Sequence, residues 1–170
     1  ILKLWDISSA SLIFSKECHS DRIKCGCTLP NNPNLFITGS YDHKVGIWDT
    51  RTSESQKWII DHGAPVESVL VHPNGLLLMS SGGNSIRIWD LANGGRLLHQ
   101  MSPHFKTITR LNFSHCCSYF HSSSIDCNVK SYSMQTYEVL NSTKYDYPIL
   151  DFSISPDNNR VGAALINNDE

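Results

Sequence analysis

The sequence lacks long apolar runs and sustained helical periodicity. No stretch approaches the roughly 20 apolar residues that a membrane span requires, so we expect no membrane segment. Apolar residues do not recur at helical spacing over any window, and we therefore predict no helix. The chain opens on Ile1 rather than Met and shows no signal peptide, so we expect it to be an excerpt of a longer protein.

The sequence also lacks a strong charge balance and the usual catalytic signatures. Fourteen basic and 16 acidic side chains give a formal net charge of −2. This balance argues against a surface that holds nucleic acid mainly by charge, but it does not exclude local basic patches. There is no P-loop, no dinucleotide-binding glycine pattern and no G-x-S-x-G elbow. We therefore predict a protein without a cofactor, a small-molecule substrate or catalytic residues.

The cysteines do not form a recognisable metal or disulfide framework. None of the six is part of a C-x-x-C, and the C-x-C and C-C spacings that occur are poor for zinc. A cluster of His115, Cys116, Cys117 and His121 offers suitable ligand types, but alternation along a strand would send neighbours to opposite faces. We predict no metal site, and we expect free cysteines buried in strands, as in a reducing compartment.

A repeated hairpin ending in Trp-Asp is what the sequence does contain. Residues 35–49 read LFITGSYDHKVGIWD, two β-rich runs around a tight polar stretch. The Trp-Asp dipeptide recurs at Trp5, Trp48 and Trp89, with Tyr132-Ser133 as a degenerate copy, at intervals of 43, 41 and 43 residues. A period of about 40–45 residues is typical of a four-stranded propeller blade. The chain thus resembles the WD-repeat β-propeller family, which implies an all-β fold.

Sixteen strands are predicted in this way, about four blades' worth. The predicted segments are 1–16 (end of one blade), 19–60, 62–101 and 104–142 (full blades) and 145–170 (start of a further blade). Residues 31–34, Asn-Asn-Pro-Asn, are predicted as a turn. Sixteen strands could close a four-bladed ring, but since the chain starts within a blade and the family's rings mostly close at seven, we favour an arc of a seven-bladed ring.

The resemblance also implies a polar relay inside each blade. In the first full blade the matching residues are His19, Thr38, Asp42 and Trp48. An indole only donates and a carboxylate only accepts, so we expect Trp48 to donate to Thr38, Thr38 to His19 and His19 to Asp42. The corresponding residues are His104, Ser122, Asp126 and Tyr132 in the third blade, and His62, Ser80 and Trp89 in the second.

The second blade has Gly82-Gly83 where the carboxylate is expected, in a turn one residue shorter. His62 should then lack a partner, and we predict that this blade is the least well braced. A Ser/Thr–His–Asp set also suits nucleophilic catalysis. Because the set recurs once per blade at fixed offsets from an aromatic residue, we interpret it as structural.

A denser resemblance covers about residues 34–100 and becomes thin after 115. It rests on residues 35–45, 50–55, 62–70, 81–90 and 94–98, with Cys18 and the run Gly46-Ile47-Trp48 as departures. These stretches resemble the WD-repeat scaffolds of the small-subunit processome. The resemblance implies a non-catalytic nucleolar scaffold that supports pre-ribosomal RNA processing and ribosomal DNA transcription. Its partners would be other processome proteins, with local or indirect contact to pre-ribosomal or small nucleolar RNA.

Partner-binding residues are predicted at blade turns and inner-strand entries, where the family places exposed side chains. The candidates are Asp21, Arg22, Tyr41, Pro65, Phe105 and Ile125. A rival interpretation comes from Trp48-Asp49-Thr50-Arg51, which resembles the box through which WD-repeat substrate receptors dock on a cullin ubiquitin-ligase adaptor. Under that interpretation Arg51 would be the docking residue.

Overall fold

The computed structural model describes residues 1–52 and 56–166, which form strands joined by turns and contain no helix. Residues 53–55, within the processome-like stretch, and 167–170, within the last predicted segment, lie outside the described residues. The strands are β1 (Leu2–Asp6), β2 (Ser11–Lys16), β3 (Ile23–Leu29), β4 (Asn32–Ser40), β5 (Lys44–Asp49), β6 (Gln56–Asp61), β7 (Val66–Val71), β8 (Leu77–Gly82), β9 (Ser85–Asp90), β10 (Arg96–Met101), β11 (Ile108–Phe113), β12 (Tyr119–Ser124), β13 (Asn128–Ser133), β14 (Val139–Lys144), β15 (Ile149–Ile154) and β16 (Val161–Leu165). The predicted all-β fold is confirmed. No helix of the described residues has the length and apolarity to cross a bilayer.

The strands form three four-stranded antiparallel sheets and two pairs. The first sheet is β3–β6, the second sheet is β7–β10 and the third sheet is β11–β14, each a simple meander. The pairs β1–β2 and β15–β16 stand at the two ends of the chain. Short polar turns make this order natural, because an antiparallel neighbour needs only a tight connection.

The sheets stand side by side through their first strands. β3 contacts β7, β7 contacts β11, and β11 contacts β15. Leu78 and Met79 are adjacent in β8 and both are fully buried, Leu78 with the first sheet and Met79 with the third. Successive side chains of a strand point to opposite faces, so a sheet between two others buries both. Each such aliphatic side chain contributes roughly 1.5–3 kcal/mol.

The two end pairs are not joined to each other. Closure into a four-bladed ring would pair β16 with β1, whereas β1–β2 and β15–β16 form separate two-stranded sheets. Trp5 in β1 is 53% exposed, against 1% for Trp48 and 5% for Trp89, because a neighbouring sheet does not cover it. The seven-bladed ring and the blade segments stay predictions.

The predicted turn at 31–34 is wrong. The turn is Pro30-Asn31, and Asn32 already pairs with Leu29 as the first residue of β4. The ladder is irregular beside it, between Thr28 and Leu29, and an irregular strand end tolerates Pro33, which has no N–H to donate. The Asn31 side chain donates instead to the Asn74 carbonyl oxygen in the second sheet, at 2.9 Å.

The cysteines only partly follow the expectation of burial in strands. Cys25 and Cys27 lie in β3 against the core between the first and second sheets, and burial raises the pKa of both thiols to about 12. Cys116 is exposed, and Cys117 is half-buried. Both belong to the tight turn before β12, in which the Cys117 N–H donates to the Ser114 carbonyl oxygen at 2.9 Å.

Candidate functional site

The first sheet brings its four predicted residues into one chain of hydrogen bonds. Trp48 Nε1 donates to Thr38 Oγ1 at 2.7 Å, and Thr38 Oγ1 lies 2.7 Å from His19 Nε2. His19 Nδ1 lies 2.8 Å from Asp42 Oδ2. Because a carboxylate only accepts, the imidazole carries its hydrogen on Nδ1, and Nε2 accepts from the Thr38 hydroxyl. The direction is the one predicted, from indole to carboxylate.

The Asp42 carboxylate also secures the turn in which it lies. Its Oδ2 accepts from the Ser20 backbone N–H at 3.1 Å, and its Oδ1 from the Lys44 N–H at 3.0 Å. Burial acts to raise the pKa of Asp42. The hydrogen bond from His19, together with those from the Lys44 and Ser20 N–H groups, nevertheless holds that pKa below its ordinary value. The carboxylate thereby ties the segment before β3 to the turn between β4 and β5.

Gly46 explains how the large indole fits beside the relay. A Cβ at this position would lie 2.3 Å from an atom of the Trp48 ring, so the ring occupies the space that a side chain would need. The sequence departure at Gly46-Ile47-Trp48 is therefore a packing feature of this sheet. Any larger residue at position 46 would displace the indole.

The third sheet repeats the relay with a phenol in place of the indole. His104 Nδ1 lies 2.8 Å from Asp126 Oδ2, and His104 Nε2 lies 2.7 Å from Ser122 Oγ. Tyr132 Oη contacts the same hydroxyl at 2.8 Å, and its ring stacks on Phe120 with centroids 4.7 Å apart. Burial raises the pKa of Tyr132, so the phenol stays neutral and able to donate.

The second sheet keeps the aromatic end of the relay and loses the other. Trp89 Nε1 donates to Ser80 Oγ at 2.8 Å, and Ser80 Oγ contacts His62 at 2.8 Å. The contact uses Nδ1 instead of Nε2, so the imidazole is turned over relative to the other two sheets. Its Nε2 is buried and has no hydrogen-bond partner within residues 1–52 and 56–166. Burial, followed by the positive charge of Arg87, lowers the pKa of His62 to about 4.

Asp61 takes over part of the missing carboxylate's role, which sequence reasoning did not foresee. In the other sheets the turn carboxylate accepts from the N–H that follows the histidine, namely Ser20 and Phe105. In the second sheet Asp61 Oδ1 accepts from the Gly63 N–H at 2.7 Å. An Asp two residues before a Gly is a local turn signal, and that signal could have identified it.

The relay offers no reactive nucleophile and the described residues offer no metal site. Thr38, Ser80 and Ser122 are each at most 2% exposed, and each hydroxyl is held between an aromatic donor and an imidazole. Across residues 1–52 and 56–166 no three His, Cys, Asp or Glu side chains are grouped as metal ligands. His121 Nδ1, from the cluster considered above, bonds instead to Ser131 Oγ at 2.7 Å.

Two of the candidate partner-binding residues contact each other. The Arg22 guanidinium lies over the Tyr41 ring, 5.9 Å from its centroid, and the Tyr41 N–H donates to the Arg22 carbonyl oxygen at 2.9 Å. Asp21 is exposed, and its side chain accepts from the Arg22 N–H at 2.6 Å. These three residues form one ordered corner of the first sheet.

The other candidates are separate from that corner. Pro65 is exposed at the entry to β7, Ile125 is half-buried in the turn before β13, and Phe105 is 91% exposed. Arg51 forms a bidentate pair with Asp49, through Nε at 3.0 Å and Nη2 at 2.7 Å. These hydrogen bonds lower the pKa of Asp49 to about 2, so two of the donor groups of Arg51 are engaged within its own turn.

Comparison with known families agrees with this architecture. The family described as WD40 (WD domain, G-beta repeat) matches residues 10–49, 54–90 and 95–133. The chain belongs to the WD40 repeat family. Each matched repeat ends at or directly after the aromatic position of one relay: Trp48, Trp89 and Tyr132. The resemblance to WD-repeat propellers is thereby confirmed.

Similar curated proteins match nearly the whole of this WD40 chain. The U3 small nucleolar RNA-associated protein 15 homolog of Gallus gallus is 43% identical over 96% of this chain and 31% of its own length. The homolog of Homo sapiens is 43% identical over 88% of this chain and 29% of its own length. Protein SLOW WALKER 1 of Arabidopsis thaliana is 36% identical over 92% and 30%. The chain thus spans about a third of the length of these relatives.

Proposed function

We propose that this WD40 chain is part of a non-catalytic scaffold in ribosome biogenesis, a component of the small-subunit processome. The observation that carries the proposal is the 43% identity over 96% of the chain to a U3 small nucleolar RNA-associated protein 15 homolog.

The geometry supports a scaffold rather than an enzyme. The polar residues that could suggest catalysis are buried and bonded to one another within each sheet. The turns of successive sheets, by contrast, carry exposed side chains on a rigid frame, which suits binding. We extend the proposal to a nucleolar location, to support of pre-ribosomal RNA processing and of ribosomal DNA transcription, and to a seven-bladed ring of which this chain forms an arc.

Affinity purification of the tagged full-length protein tests the proposal. We expect co-purification of processome proteins with the U3 small nucleolar RNA, and nucleolar localisation of a fluorescent fusion. Recovery of a cullin adaptor that is lost on Arg51→Ala, with neither processome proteins nor small nucleolar RNA, would favour the substrate-receptor interpretation. Arg96→Ala serves as the matched control, because Arg96 is an exposed arginine in β10 of the second sheet and is not part of the Trp48-Asp49-Thr50-Arg51 stretch.

A further inference from the structure

The third sheet displays an exposed aromatic side chain on a fixed backbone. Phe105 is 91% exposed, yet its N–H donates to Asp126 Oδ2 at 3.1 Å, the same oxygen that His104 contacts at 2.8 Å. The relay therefore holds the backbone that carries the ring. A large apolar side chain that is exposed on a fixed backbone suits the binding of a planar group. The backbone that carries the ring has little conformational freedom left to lose on binding.

Three lysines belong to the segments that meet at the turn carrying Phe105. Lys106 follows it and is exposed, and Lys130 Nζ donates to the Pro103 carbonyl oxygen at 2.6 Å, two residues before Phe105. Lys144 is exposed and is the cross-strand partner of Asn128, whose N–H donates to Asp126 Oδ1 at 3.0 Å. All three lysines thus cluster about the turn that holds Phe105.

The acidic groups nearby do not cancel this charge. Both oxygens of Asp126 are engaged, by His104 and the Phe105 N–H on one and by Asn128 on the other. A second carboxylate, Asp146, is exposed two residues after Lys144. Both carboxylates stay ionised, since a hydrogen bond does not remove their charge, but the three lysines outnumber them. The patch formed by Phe105, Lys106, Lys130 and Lys144, called here the Phe105 patch, therefore carries a net positive charge.

The corresponding positions of the other sheets lack this combination. Ser20 and Gly63 stand where Phe105 stands, directly after the histidine, and Asp21 and Ala64 stand where Lys106 stands. The Phe105 patch is thus a feature of the third sheet and not of the repeat. The bracing of the fold does not require it, since the first sheet builds the same relay around Ser20.

We propose that the Phe105 patch binds single-stranded RNA, with a base stacked on the Phe105 ring and the adjoining phosphates paired with the lysines. Single strands are recognised by stacking of unpaired bases on aromatic side chains beside cationic groups. A duplex presents no free base face to the ring. This inference rests on the proposed role in a ribonucleoprotein assembly and assigns the RNA contact within it to named residues.

Fluorescence anisotropy of a labelled oligouridine with the full-length protein tests the assignment. Phe105→Ala should weaken binding about tenfold to a hundredfold, because it removes the stacking surface, while Phe105→Trp should restore binding. Lys106→Ala should reduce the slope of the logarithm of affinity against the logarithm of salt concentration by about 0.7. Leu76→Ala is the matched control, since Leu76 is exposed at a turn of the second sheet. Duplex RNA of similar length should respond little to Phe105→Ala.

The outcomes separate this inference from the proposed function. The assignment is overturned if wild-type protein does not bind oligouridine, or if Phe105→Ala binds as well as Leu76→Ala. It is also overturned if Phe105→Ala keeps oligouridine binding and loses a processome protein, which would make the patch a protein interface. Co-purification of wild-type protein with the processome decides the proposed function independently, because it does not depend on the patch.

Discussion

The first and second sheets share one end of their relay and differ at the other. In both, an indole donates to a hydroxyl, from Trp48 to Thr38 at 2.7 Å and from Trp89 to Ser80 at 2.8 Å. At the opposite end the first sheet has Asp42, whereas the second has a two-residue turn without a carboxylate. The aromatic end depends on strand register, which the hydrophobic pattern fixes. The carboxylate end depends on the length of the turn between the second and third strands of the sheet. A turn that is one residue shorter has no position for the carboxylate.

The third sheet shows which of the two arrangements belongs to the repeat. His104 and Asp126 reproduce the geometry of His19 and Asp42 even though a phenol has replaced the indole. The relay therefore tolerates a change of aromatic donor better than a change of turn length. The second sheet responds by turning His62 over and by capping Gly63 with Asp61, which still leaves His62 Nε2 unpaired.

The largest expected effect tests the shared end. Trp48→Ala and Trp89→Ala should each lower the free energy of unfolding by about 3–5 kcal/mol, because each leaves a large cavity in the core. Urea denaturation of both variants checks this. The two variants should lose similar amounts. If their losses differed by more than the about 2–3 kcal/mol expected for Asp42→Ala, the aromatic end of the relay would not be equivalent in the two sheets.

A pH effect of about 3 kcal/mol is expected at His62 in the second sheet. The pKa of His62 is about 4 when folded against 6.5 ordinarily, so below pH 6.5 the unfolded chain binds more protons. Stability should therefore fall as the pH drops from 6.5 towards 4. Denaturation curves across this window should show a smaller drop for His62→Gln than for wild type. His104→Gln is the comparison and should remove less of the drop, because burial lowers the pKa of His104 but the hydrogen bond that His104 donates to Asp126 opposes this lowering.

Removal of the carboxylates should show their unequal roles. Asp42→Ala leaves His19 Nδ1 and two backbone N–H groups without an acceptor, and should cost about 2–3 kcal/mol of the free energy of unfolding. Asp61→Ala removes only the cap on Gly63 and should cost about 1 kcal/mol. Chemical denaturation measures both, and equal losses would show that Asp61 braces the second sheet as fully as Asp42 braces the first.

A side chain at Gly82 should not repair the second sheet. A Cβ there would lie 2.5 Å from His62 Cδ2 and 2.7 Å from the Pro65 carbonyl oxygen, so Gly82→Ala should cost about 1–3 kcal/mol by overpacking. Gly162→Ala in β16 is the control, since its Cβ would meet no atom within 4 Å. A Gly82→Ala protein with the thermal midpoint of wild type would refute this packing argument.

The smallest effect is expected at Arg51. Its pair with Asp49 is local to one turn, and the Arg51 side chain is 58% exposed although Asp49 is buried. A pair that is open to solvent on one side is screened and contributes little to stability. Arg51→Ala should therefore leave the thermal midpoint unchanged within error. A loss as large as that of Asp61→Ala would mean that the turn after β5 supports the first sheet more than the geometry indicates.

The strands of this chain were well predicted from the sequence alone, because the repeat shows the same strand pattern in three copies. The hairpin predicted at 35–49 is formed by β4 and β5, since its two β-rich runs flank a tight polar turn. The turn at 31–34 was misplaced because Asn and Pro favour turns equally at several neighbouring positions, and strand pairing decided among them. Local composition does not contain that pairing.

The relay was predictable as a set of residues but not in its exception. The absence of a carboxylate in the second sheet was visible in Gly82-Gly83, and an unpaired His62 followed from it. The turned-over imidazole and the cap by Asp61 were not foreseen, because both depend on how the loop relaxes in three dimensions. The Phe105 patch was likewise seen only as a single candidate residue, since its lysines come from three separate segments of the chain.

Native-state hydrogen exchange of backbone amides compares the first and second sheets most directly. The account predicts that β8 and β9 of the second sheet exchange faster than β4 and β5 of the first, because the unpaired His62 lowers the cost of local opening. Equal protection of the two pairs of strands, or slower exchange in the second sheet, would contradict the claim that the turn carboxylate braces each sheet.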